Sequence, residues 1–101
     1  MNVYPSGTLV RTRAQSFTTI DGIVSDPSTI TLKYKRGAQA TVTIVYPDAR
    51  IVRDSQGNYH ADLDTTGFAG PDLELWQIQW TGTGTVAVIG NDRWQVEATT
   101  L

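Results

Sequence analysis

The 101-residue sequence holds no cysteine, a single histidine and a single methionine. Without cysteine there is no disulfide, no thiol nucleophile and no cysteine-based zinc site. Small secreted domains often depend on disulfides, so their absence favours synthesis and residence in a cytoplasm. Charge is sparse, at 18% of residues, and leans acidic, with eight Lys and Arg against ten Asp and Glu. A formal net charge of −2 does not suit non-specific nucleic-acid binding, which needs a basic surface to release phosphate counterions. Long apolar runs are missing too, and none approaches the ~20 residues that a bilayer span requires. The opening Met1-Asn2-Val3-Tyr4-Pro5-Ser6-Gly7 has neither the basic nor the apolar region of a signal peptide. These absences give the expectation of a soluble chain that engages neither membrane nor nucleic acid.

What is present is a globular composition, 40% hydrophobic, at a length near the commonest for one domain. A chain of this size removes roughly 65% of its unfolded surface from water, enough for a core without metals or crosslinks. Residues 1–101 are therefore read as a single domain, with 1–8 as an extended N-terminal arm.

The dominant period is two, the signature of half-buried strands. Val10, Thr12 and Ala14 alternate with Arg11 and Arg13, and Phe17 reaches the core after a bulge. Ile30, Leu32 and Tyr34 alternate with Thr31, Lys33 and Lys35, an apolar-in, charged-out strand. Val42, Ile44 and Tyr46 form the next inward set, ended by Pro47-Asp48. Ile51 and Val52 make a brief strand before the turn Asp54-Ser55-Gln56-Gly57. Tyr59, Ala61 and Leu63 then point inward, with His60, Asp62 and Asp64 outward. Trp76, Ile78 and Trp80 alternate with Gln77 and Gln79, Thr81-Gly82-Thr83-Gly84 reads as a turn, and Val86 and Val88 as a strand. Gly90-Asn91-Asp92 reads as another turn, after which Trp94 and Val96 close the fold. Turn chemistry at Asp21-Gly22 and Ser25-Asp26-Pro27-Ser28 completes the punctuation. No segment carries a helical period. The prediction is all-β, an immunoglobulin-like β-sandwich of seven to eight short antiparallel strands, with a small closed barrel as the rival.

Charge divides unevenly. Residues 1–53 hold seven Lys and Arg against three Asp, a formal +4, and residues 54–101 hold one Arg against seven acids, a formal −6. Strands of the two halves interleaving would pair these charges across the sheets; alternatively they form two poles that help copies stack head to tail.

The run Asp54-Ser55-x-Gly57-x-Tyr59-x-Ala61-x-Leu63, then Trp76-x-Ile78-x-Trp80-Thr81-Gly82-Thr83-Gly84-x-Val86 and the closing Trp94-x-Val96, joins Ser25-Asp26-Pro27-Ser28-Thr29-Ile30-Thr31-Leu32 of the first half. Together these resemble a family of small immunoglobulin-like proteins found among the structural genes of tailed phages and prophages, from about Leu9 to Val96. The resemblance implies a virion part without enzymatic activity: a head decoration, a head–tail joining protein or a tail-associated subunit, made in the host cytoplasm. The partners it implies are other virion proteins of the capsid, connector or tail, with a homo-oligomer as a further form. It supplies no functional residues.

The residues themselves offer few chemical constellations. His60, Asp62 and Asp64 share one strand face, but side chains on a flat strand run parallel and converge poorly on a metal. Asp21, Asp26 and Asp92 read as loop residues without the interleaved spacing of a calcium site. Ser55 lies near His60 in sequence with no strained elbow around it. Lys33, Lys35 and Arg36 read as the solvent face of one strand. No cofactor or metal is expected, and no enzyme. Trp76, Ile78 and Trp80 suit either an inner strand or a sugar-stacking platform, so a carbohydrate-binding or adhesion module stands as the alternative function. For protein contacts the sequence nominates Val3 and Tyr4 of the arm, Phe68 as an exposed-looking aromatic, and Val88 and Ile89, where both strand faces are apolar. The arm either docks on a neighbour's sheet edge or folds back on its own domain.

Overall fold

A computed structural model describes residues 2–68, 70–84 and 88–98. Among them lie nine strands and no helix: β1 (Val3–Pro5), β2 (Leu9–Arg11), β3 (Gln15–Ser16), β4 (Thr29–Arg36), β5 (Val42–Val45), β6 (Ile51–Ser55), β7 (Asn58–Asp64), β8 (Glu74–Thr83) and β9 (Val88–Glu97). They form two sheets. One runs β1-β9-β8-β4-β5; in the other, β2, β3 and β6 all pair with β7. The all-β class expected from the two-residue period is therefore present, in the two-sheet arrangement of a β-sandwich.

One cluster of buried side chains fills the space between the sheets. Strand β8 contributes Trp76, Ile78 and Trp80, and β7 contributes Tyr59, Ala61 and Leu63, all on the inward parity of their strands. Phe17 stands between the layers, edge-on to Tyr59 at 5.7 Å and to Trp80 at 6.4 Å. Edge-to-face contact sets the positive rim of one ring against the negative face of the next. Tyr34, Trp76 and Trp94 stack in sequence, at 5.6 Å and 5.8 Å. Tyr4 meets Trp94 edge-on at 6.4 Å. This ladder crosses β4, β8, β9 and β1 and fixes their order.

Several expectations change. Of the arm's two readings, folding back is the one present: Val3, Tyr4 and Pro5 pair in parallel with Gln95, Val96 and Glu97 of the same chain. The ring of Tyr4 has an apolar seat on Trp94 within its own domain, so folding back satisfies both the side chain and the backbone donors. Thr81-Gly82-Thr83 is not a turn but the end of β8, paired with β4 through Thr29↔Thr83 and Ile30↔Gly82. A Cβ at Gly82 would stand 2.8 Å from the Phe17 ring and 3.0 Å from Pro27, so the glycine is there for close packing. Gly90-Asn91-Asp92 likewise lies inside β9, opposite Trp80, Gln79 and Ile78. The carboxamide of Gln15 occupies the space that a Cβ on Gly90 would need. Ala14 is exposed, unlike Val10 and Thr12, because the strand breaks between β2 and β3. Val86 lies outside the described residues.

Candidate interaction surface

Surface geometry is set first by ion pairs. Arg11 meets Asp62 at 3.0 Å, Arg13 meets Asp92 at 3.2 Å and Arg36 meets Glu74 at 3.0 Å, each joining the basic first half to the acidic second. Arg50 pairs with Asp48, and Arg53 with Asp26. Five of the eight cations are thus matched within the domain. Buried Glu74 also accepts a 2.8 Å hydrogen bond from the Trp76 indole. Arg36 lies 4.7 Å over that ring, so it belongs to the inner side of β4 and not to the solvent face with Lys33 and Lys35.

Asp26 is not free loop chemistry either. Its carboxylate accepts from the Gly57 backbone N–H at 2.7 Å, the Tyr59 hydroxyl at 2.8 Å and both Nε and Nη2 of Arg53. The Arg53 hydrogen bond first, then those of Gly57 and Tyr59, hold its pKa down at about 2. Asp92 stands on β9, where it accepts the backbone N–H groups of Arg13 and Arg93. With the Arg13 guanidinium donating to the Asn91 carbonyl at 3.1 Å, the free edge of β9 is blunted.

The three residues considered for a metal do not converge. His60 is on the outer face, as read, yet only 7% exposed. Its Nδ1 lies 2.8 Å from both Asp54 oxygens, while Nε2 faces Asp62 at 3.5 Å without making a hydrogen bond. Asp64 is turned to Thr66. Ser55 accepts from Asn58 and makes no contact with His60. Among the described residues no group of three or more His, Cys, Asp or Glu is placed to hold a metal ion.

The nominated contact residues scatter. Val3 is exposed but committed to β1, and Tyr4 is half-buried against the core. Phe68 is not an exposed anchor: its ring packs on the core, and its N–H donates to Ser6 Oγ. Val88 packs on the core as well, whereas its neighbour Ile89 is 66% exposed.

Sequence reasoning missed the most exposed aliphatic group among the described residues. Thr19 donates its N–H to the Ile23 carbonyl at 2.8 Å, and Gly22 donates to the Thr19 carbonyl at 2.9 Å. Ile20, Asp21 and Gly22 form the tip of this small hairpin. Gly22, at φ +82°, takes the left-handed position that closes a three-residue loop. Ile20 is fully exposed, and Ile23 is 64% exposed. The one available signal was two isoleucines flanking Asp21-Gly22, where a turn has no core to receive them.

Comparison with known proteins adds no relative: no family model matches the chain, nor does any curated protein or solved structure.

Proposed function

We propose that this chain is a non-catalytic structural protein of a tailed-phage particle, an immunoglobulin-like module acting through protein–protein contacts. Head decoration, head–tail joining and tail association are its three candidate positions. The observation that carries the reading is a set of large aliphatic side chains held in water by fixed backbone. Ile20 and Ile23 stand on the hairpin tip, Leu9 on β2 and Ile89 on β9, each more than 60% exposed. Exposed aliphatic groups of this kind gain free energy only when a partner covers them. Placed on strands and a hydrogen-bonded hairpin, they lose little conformational entropy on docking. The resemblance in the Tyr59, Trp76–Trp80 and Trp94 segments supplies the particle as the setting.

The competing carbohydrate-binding module needs exposed rings. Trp76, Trp80 and Trp94 are buried, which removes the platform on which that reading stood. Mass spectrometry of purified particles, with copies counted against the major capsid protein, tests the proposal. A few copies to a dozen point to connector or tail and hundreds to a shell decoration. Absence beside well-detected capsid proteins sinks the virion reading.

A further inference from the structure

Among the described residues, three cations have no ion-pair partner: Lys33, Lys35 and Arg93. All three lie on the outer face of the five-stranded sheet. The register sets Lys35, Gln77 and Arg93 in one row across β4, β8 and β9, and Lys33, Gln79 and Asn91 in the next. Such rows stand about 4.8 Å apart from strand to strand and about 7 Å apart along them. The six side chains are exposed, so they form a flat basic and amide grid with Ile89 at its border.

Of the unmatched acids, Asp21 stands on the hairpin tip and the others gather at the far end of the domain. Asp72 and Glu97 line one open recess with Pro71, Leu73 and Ala98, in which Leu73 is exposed. Asp64 is at the same end, since Ser6 binds both the Glu97 and Thr65 carbonyls. Charges kept only for solubility would be interspersed. Here the leftover acids other than Asp21 cluster at one end of the domain, with Glu97 on the same outward parity of β9 as Arg93 but farther along the strand, apart from the basic grid.

We infer that the basic face of the five-stranded sheet docks the acidic end of a second copy, Asp72 and Glu97 meeting Lys33, Lys35 and Arg93. The ion pairs set partner and orientation, and Leu73 and Ile89 add the apolar contact that exposed ion pairs lack. The inference deepens the structural reading above. It fails separately from it, because a chain that never self-associates can still be found in particles.

The test is sedimentation velocity of the full chain over a concentration series. Wild type should associate at low ionic strength, and association should weaken at least about tenfold near 1 M salt, where the Debye length is about 3 Å. The variant Lys33→Glu, Lys35→Glu, Arg93→Glu and the variant Asp72→Lys, Glu97→Lys should each stay monomeric alone and associate when mixed. Asp21→Lys, at the opposite end, should leave association unchanged. Far-UV circular dichroism checks folding, and the single changes Lys35→Glu and Glu97→Lys repeat the test in smaller steps. A wild type that stays monomeric at low salt overturns the inference, as do variants that associate like wild type or a folded mixture that fails to. Retention on alginate without self-association would assign the basic face to an external acidic polysaccharide and would overturn it too.

Discussion

Asp26 ties the loop before β4 to both strands and the turn of the β6–β7 hairpin. It sits in the loop before β4, yet its carboxylate holds the β6–β7 turn at Gly57, the Tyr59 hydroxyl on β7 and the Arg53 guanidinium on β6. These bonds favour the ionised form, so the folded pKa, about 2, is below the ordinary 3.8. The stability they supply is complete above the unfolded pKa and is lost as pH falls from about 4 toward 2. Asp26→Asn should therefore be less stable at neutral pH and should lose less between pH 4 and pH 2 than wild type, measured by denaturant midpoints. Equal losses over that window would remove Asp26 from the acid transition. The network was not legible in the sequence, since Asp-Pro-Ser reads as a turn whether or not it has partners 27 and 33 residues away. Alternation did identify the inward residues of β7 and β8. It failed at His60, where parity gives the face but not the depth. Asp54 and Asp62 flank that ring and cover it.

Hairpins and strand ends were harder to read than strands. Glycine marks both a turn and a place where a side chain crosses the backbone, and sequence does not separate the two. Gly82 and Gly90 are of the second kind, because Phe17 and Gln15 lie on them. Gly22 is of the first kind and builds the tip that displays Ile20. Replacing Ile20 with Ser should change stability by no more than about 0.5 kcal/mol, as for other surface positions, because the side chain has no contacts to lose. In particles, incorporation of the variant should fall below that of wild type by quantitative mass spectrometry. A large drop in stability would show that the tip packs inward and would remove it as a contact. The surface grid of Lys33, Lys35 and Arg93 was half visible: the lysines read as outward, but pairing β9 beside β8 was needed to bring Arg93 alongside them.

At the scale of the molecule, both sheets share one core. Phe17 bridges from the β3 end to Trp80 on β8 and Tyr59 on β7. Neither sheet keeps its apolar face covered without the other, so unfolding should be a single transition. Tryptophan emission, dominated by β8 and β9, and far-UV circular dichroism, which sees both sheets, should give coincident urea curves. Two separated midpoints would mean two cores. Of the two readings of the charge division between the halves, pairing across them is present at this scale. Arg11, Arg13 and Arg36 pair across the halves, to Asp62, Asp92 and Glu74.

The sheet order β1-β9-β8 also carries a consequence for biosynthesis. Among the described residues β1 pairs only with β9, the strand farthest from it along the domain. Until β9 emerges, Val3–Pro5 has no ladder to join, Tyr4 has no Trp94 beside it and the outer edge of β8 stands open. The sheet therefore stays unsealed while every strand between these two is made. Exposure to aggregation and to chaperones is concentrated in that interval, and it ends as the ten-residue β9 slides between β1 and β8.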